Sequence, residues 1–144
     1  MTLGSIMTGH VVSVGMDDSL HKVKELFDQR GFHHLIVLEG GRLAGIISDR
    51  DLLRNLSPFI GSMGERKQDA ATLERRAHQV MTRGVVTAPA SMSIEDGGRL
   101  MLRRRISALL IVDERGVCTG IVTWRDLLRW ALGREPAAEE SRAA

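Results

Sequence analysis

Tyrosine is absent, and the aromatic side chains are limited to three phenylalanines and two tryptophans. A core must therefore be aliphatic, and valine, isoleucine, leucine and seven methionines are present to fill it. The same scarcity weighs against a single-stranded nucleic-acid binder, which needs ring faces on which bases stack. One cysteine, Cys118, excludes an internal disulfide framework and suits a reducing compartment. No apolar run approaches the roughly 20 residues of a membrane-spanning helix. The N-terminus shows no basic stretch followed by an apolar run, so no signal peptide is expected and a cytoplasmic address follows by default. Net charge is +2 with a pI near 9.2, a thin excess for a dedicated nucleic-acid partner. Metal-ligand spacing, a phosphate-binding Walker loop and a nucleophile with a companion base are all missing. Hydrolysis and phosphoryl transfer need such equipment, so the expectation is no enzyme, no metal and no required cofactor.

What is present is repetition. Met7-Thr8 precedes Val11-Val12, and Met81-Thr82 precedes Val85-Val86, 74 residues later. Gly45-Ile46-Ile47-Ser48-Asp49-Arg50-Asp51-Leu52-Leu53-Arg54 recurs as Gly120-Ile121-Val122-Thr123-Trp124-Arg125-Asp126-Leu127-Leu128-Arg129, 75 residues on. A duplicated unit implies an approximate two-fold arrangement in which neither copy need bury its apolar face alone. At 144 residues the chain has the size of one domain, or of two small lobes sharing a core.

Each repeat reads β-α-β-β-α. In the first, Val11 to Val14 is a short β-branched strand and Asp17-Asp18-Ser19 a helix start. Leu20, Val23, Leu26 and Phe27 fall on one helical face, and Gly31 suits the position past the helix end. Residues 34–38 form a strand, Gly40-Gly41 a hairpin turn and residues 43–47 the return. Ser48 opens the last helix. In the second, Val85 to Thr87 is the short strand and Ser93 to Asp96 has capping-box spacing. Ile94, Gly97, Leu100 and Met101 make the helical face. Residues 108–112 and 117–122 are the strand pair, and Thr123 opens the final helix. The turn at 113–116 is one residue longer than its counterpart, which accounts for the changed spacing. Between the repeats, residues 69–79 read as a helix. The expected division is a first unit at 1–54, a linker with a helix at 55–79, a second unit at 80–132 and a flexible tail at 133–144.

Two such units, each closing on Gly-hydrophobic-x-Ser/Thr-x-x-Asp, resemble a tandem pair of CBS domains, the Bateman module. The resemblance covers residues 6–54 and 80–131. It implies an α/β (α+β) fold of two pseudo-symmetric units packed through their sheets, with adenine nucleotides bound in clefts between them. It also implies assembly of two chains into a homodimeric disc, and regulation of another protein not identifiable from sequence.

The repeated motif has a chemistry of its own. A carboxylate three residues after a hydroxyl at a helix start, as Asp51 and Asp126 are, can accept two hydrogen bonds from a ribose diol. The hydroxyl of Ser48 or Thr123, with the free amides of the first turn, can hold a phosphate, and Arg50 and Arg125 can add charge. The competing reading is a capping box that only satisfies helix amides; one instance favours that reading, and two equivalent instances favour a ligand. The resemblance places the backbone around Val11-Val12 and Val85-Val86 against the adenine edge, and Pro89, though not Gly15, fits the proline often found after that strand. It also matches His33 to a histidine that contacts phosphate in a nucleotide-binding member, with Ser107 at the same place in the second repeat. The first site, with His33 and Arg50, is accordingly expected to prefer more phosphates than the second. His33 and its neighbour His34 are equally readable as a solvent-facing histidine pair at a strand start.

Arg103 to Arg105 reads first as a solvated helix end, favourable to the helix dipole, and second as an anion or acidic-partner contact. Gly97-Gly98 inside a helix is locally unfavourable and marks a close approach, between units or to a ligand. The expected function is a regulatory module that senses adenine nucleotides of the AMP, ADP and ATP class. The alternatives are a ligand-free dimerisation scaffold, or a binder of NAD, S-adenosylmethionine or a cyclic dinucleotide.

Overall fold

Serine starts both long helices. Ser19 caps α1 (Leu20–Arg30), its hydroxyl accepting the Lys22 amide, and Ser93 caps α5 (Ile94–Arg104), accepting the Asp96 amide. Each satisfies one of the amides a helix start leaves without an internal partner. The computed structural model describes Met1–Gly133; the tail expected beyond Gly133 lies outside the described residues. The mixed α/β class and the β-α-β-β-α order of each repeat are observed. One three-stranded sheet has order β1 (Ser13–Gly15), β2 (His34–Glu39), β3 (Arg42–Ser48), and the other β4 (Thr87–Ala88), β5 (Ala108–Val112), β6 (Cys118–Thr123). In each, the first pair is parallel and the second antiparallel. The parallel pairs are joined by α1 and α5, the crossover that a parallel connection requires. The tight β2–β3 turn uses Gly40 and Gly41 at φ 56° and 80°, the left-handed conformation that glycine adopts without Cβ strain. The last helices are α2 (Asp49–Asn55) and α6 (Trp124–Ala131).

The chain partitions into two compact units whose boundaries differ from those of the repeats. One unit is Val12–Gly84; the other joins Met1–Val11 to the chain from Val85 onward. The chain thus passes between units at Val11/Val12 and at Gly84/Val85, one residue out of register between the two repeats, so that the equivalent Val11 and Val85 fall in the same unit. The reason lies in the Met-Thr and glycine elements of the repeat, which meet crosswise. Thr8 pairs through its backbone with Ile121, and Thr82 with Ile46. A Cβ on Gly120 would lie 2.6 Å from Met7 Sδ and 2.9 Å from the Thr8 oxygen; one on Gly45 would lie 2.6 Å from Met81 Sδ and 2.9 Å from the Thr82 oxygen. Each glycine therefore admits the Met-Thr segment preceding the other repeat's short strand.

Each unit has its own aliphatic core. In Val12–Gly84, Leu20, Val23, Leu35, Val37, Ile47 and Ala77 are fully enclosed. In the other, Leu3, Leu109, Ile111 and Val122 are. Leu3 lies against α5, where the Leu3 side chain fills the space a Cβ on Gly97 would need, 2.6 Å from Leu3 Cδ2. Of the pair Gly97-Gly98, Gly97 makes the expected close approach, and it joins the amino-terminal segment of the first repeat to the second repeat's helix, both inside one compact unit.

The helix expected over 69–79 is broken. Residues Lys67–Ala71 form α3, Thr72–Glu74 a 3-10 turn, and Ala77–Val80 the short α4. Arg75 and Arg76 are extended because their backbone is drawn into pairing with the start of α1: the Leu20 amide donates to the Arg75 oxygen at 2.8 Å and the Ala77 amide to the Asp18 oxygen at 2.8 Å. Tertiary pairing overrides the local helix preference.

Candidate functional site

The repeated polar motif sits where the return strand hands over to the last helix. In the first repeat Ser48 ends β3 and caps α2. Its hydroxyl accepts the Asp51 amide at 3.0 Å, and the Asp51 carboxylate accepts the Ser48 amide at 2.9 Å. The two residues therefore form a reciprocal capping box, with both half-buried. Asn55 adds a hydrogen bond to the Asp51 carbonyl at 2.8 Å. His33 lies beside this junction: its carbonyl accepts the Asp49 amide at 2.9 Å, and its Nδ1 donates to Asp49 Oδ2 at 2.8 Å.

In the second repeat Thr123 ends β6 and α6 follows. The Trp124 amide donates to the Ser107 carbonyl at 3.2 Å, so Ser107 and Trp124 stand where His33 and Asp49 stand in the first. The Thr123 amide donates to Asp126 Oδ2 at 2.8 Å and its hydroxyl donates to the same oxygen at 3.2 Å. Arg129 reaches Asp126 Oδ1 at 3.5 Å. Thr123 and Asp126 are both buried, at 5% and 6% exposure. Burial pushes the Asp126 carboxyl above the usual carboxylate range, against the opposing pull of the Thr123 donors and the Arg129 charge. Arg125 lies over the exposed Trp124 ring, 5.6 Å from its centroid, within cation–π range.

The sheets bring the expected residues to one end. The Val12 carbonyl accepts the Ile36 amide at 2.9 Å, and His34 pairs with Ser48. Val12, His33, Ser48 and Asp51 thus gather where β1 and β2 begin and β3 ends, with Arg50 exposed next to them. Likewise the Val86 carbonyl accepts the Leu110 amide at 3.4 Å and Ala108 pairs with Thr123, which gathers Val86, Ser107, Thr123 and Asp126. The short strands begin later than expected, at Ser13 and Thr87, so Val11, Val12, Val85 and Val86 precede them. Val12 and Val86 pack on the cores of their own units. Val11 belongs to the unit that holds Val85, not to that of Val12. Two residues escaped the sequence reading, Asp49 and Arg129. Arg129, three positions after Asp126, carries a recognisable i,i+3 signal; Asp49 does not, because its partner His33 is 16 residues away. Among the described residues no cluster of acidic, histidine and cysteine side chains could hold a metal ion, and no helix is long and apolar enough to cross a membrane.

The CBS domain family model matches residues 3–58 and 77–133. The chain belongs to the CBS domain family. Among curated relatives it is 30% identical to an inosine-5'-monophosphate dehydrogenase of Nitrosopumilus maritimus, over 86% of the chain but 23% of that protein. Two uncharacterized proteins of Methanocaldococcus jannaschii are 32% identical over 85% of the chain and 41% of the relative, and 31% identical over 89% of both. The chain thus spans less than half the length of the first two. Among solved structures, a CBS domain pair in complex with 5'-methylthioadenosine and S-adenosyl-L-methionine has a TM-score of 0.76 at 21% identity, covering 94% of this chain and 98% of that one; this likeness concerns the fold. CBSX2 in complex with AMP has a TM-score of 0.71 at 29% identity, covering 92% and 96%. The cytosolic domain of the Mg2+ channel MgtE in complex with ATP has 0.66 at 26%, covering 86% of this chain and 46% of that one.

Proposed function

We propose that this CBS pair is a regulatory module, not a catalyst, that binds an adenine nucleotide of the AMP, ADP and ATP class and acts on a partner protein in the cytoplasm. The observation that carries the reading is the half-buried Asp51 carboxylate at the β3–α2 junction, with one oxygen engaged by the Ser48 amide; a ribose diol would need the other as its acceptor. Ser48 supports it: because its oxygen accepts from the Asp51 amide, its own proton is available to a ligand. Relatives of the same fold in complex with AMP and ATP agree with the ligand class. No resident cofactor is invoked; the nucleotide is a regulatory ligand.

A melting panel of AMP, ADP, ATP, NAD, S-adenosylmethionine and a cyclic dinucleotide tests this. A ligand at about a hundred times its Kd adds roughly 2.7 kcal/mol, a rise in Tm of about 5 °C or more for a chain of this size. A flat response to every adenine compound at millimolar concentration rejects the proposal. The homodimer belongs to the same reading and is supported by a stripe of exposed apolar residues along α6 and its C-cap, Trp124, Leu128 and Leu132, spaced four apart. A closed two-fold pair is the commonest way to cover such a face, and sedimentation equilibrium showing a monomer at tens of micromolar rejects it.

A further inference from the structure

The two copies of the motif are chemically unlike, although their residue types match. A vicinal diol needs two acceptor sites on a carboxylate it can reach. Asp51 offers them: it is half-buried, its Oδ2 takes one amide, and Arg54, the counterpart of Arg129, is exposed and makes no ion pair with it among the described residues. Asp126 does not. Its side chain is 5% exposed, its Oδ2 takes both the amide and the hydroxyl of Thr123, and its Oδ1 faces Arg129. The hydroxyls differ in the same sense. Ser48 accepts from the helix and keeps its proton, whereas Thr123 donates its proton to Asp126.

We infer that Asp126 is an internal fastener of the β6–α6 junction and not a ligand group, so that one chain takes one adenosine-type ligand, at Asp51. Arg129 is the positioning residue that completes the fastener. The inference rests on the proposed nucleotide reading for its ligand and on burial and hydrogen bonding for its asymmetry. Reaching Asp126 with a diol would require breaking its contacts to Thr123 and Arg129 in a water-poor site. An unpaired buried donor is costly there, and the half-exposed Asp51 carries no such penalty. The elevated carboxyl of Asp126, raised by burial, is the mark of a group shielded from water.

The test is calorimetric titration of the full chain with AMP and with 5'-methylthioadenosine, on wild type, Asp51→Ala and Asp126→Ala, with melts of all three. The expected result is one ligand per chain, weakened about tenfold or more by Asp51→Ala and by less than about twofold by Asp126→Ala. The melts should separate oppositely, with Asp126→Ala lowering Tm by about 5 °C or more and Asp51→Ala by about half that or less. Two ligands per chain, or a ligand retained at full affinity by Asp51→Ala, overturns the inference; both readouts stand even if Asp126→Ala does not fold. Absence of binding by wild type rejects the nucleotide reading instead, and the melts then decide the fastener: a larger drop for Asp126→Ala upholds it, and equal drops overturn it.

Discussion

Leu3 and Gly97 provide a test of how the amino-terminal segment is used. Leu3 is fully buried, 94 positions before the helical glycine whose missing Cβ makes room for it. Leu3→Ala removes a buried isobutyl group and leaves a cavity, and such changes cost about 2–5 kcal/mol. Gly97→Ala gains roughly 1 kcal/mol of helix propensity but drives a methyl to 2.6 Å from Leu3 Cδ2, an overpacking that costs about 1–3 kcal/mol; its net effect alone is a loss of about 0–2 kcal/mol. In the double mutant the new methyl enters the space Leu3 vacated. The clash disappears and the propensity gain remains, so the pair should be more stable than the sum of the singles by at least about 1 kcal/mol. Urea melts of the four proteins, with the slope held common, close the cycle. Additivity within about 0.5 kcal/mol, the behaviour of independent sites, would refute the contact and with it the placing of Met1–Val11 in the unit of the second repeat.

Other consequences are as direct. Arg105 ends α5 at φ 54°, where its counterpart Gly31 ends α1 at φ 66°; Arg105→Gly should stabilise the chain by about 1 kcal/mol, read as a higher urea midpoint. Gly45→Ala and Gly120→Ala each place a methyl 2.9 Å from a backbone oxygen and should cost about 1–3 kcal/mol, with a lower Tm for both. Asp126 is raised by burial from 3.8, so the folded state binds more protons and stability falls as pH rises through its folded value; the Tm advantage of wild type over Asp126→Ala should narrow from pH 4 upward. Asp18 is held below 3.8, first by the Gly15 amide and then, against some burial, by Lys22; its contribution is present above that pH and lost as pH falls, so the wild-type advantage over Asp18→Ala should narrow below about pH 4.

Local signals carried most of the fold. The run Leu35-Ile36-Val37, the glycine pair at 40–41 and the serines at 19 and 93 announced strands, turn and helix starts without tertiary help, because each feature is decided by neighbours in sequence. Arg75-Arg76 could not be read this way: nothing in its neighbourhood says that its backbone will pair with Ser19 and Leu20. The crosswise use of Met7-Thr8 and Met81-Thr82 was hidden for a related reason. A repeat reveals which segments are alike, but two like segments can each serve either copy, and only the seating of Met7 on Gly120 and Met81 on Gly45 selects the partner.

The candidate site was legible as chemistry, and the difference between His33 and Ser107 was legible with it, but the difference between the two aspartates was not. Ser48-x-x-Asp51 and Thr123-x-x-Asp126 are the same word in sequence; burial and a single arginine separate them in space. The first copy lies at the end of a strand that pairs with the segment leading out of its unit. Ser48 ends β3, and Ile46, two residues earlier, exchanges both backbone hydrogen bonds with Thr82, at 3.1 and 2.9 Å. Thr82 lies two residues before the Gly84/Val85 passage into the other unit. On the proposed reading, a ligand on Ser48 and Asp51 would touch the strand that pairs with Thr82. Tight binding alone would regulate nothing. Regulation requires that the ligand distinguish two states of the chain, and on the proposed reading the β3–Thr82 ladder is one element that such a difference at Asp51 would meet.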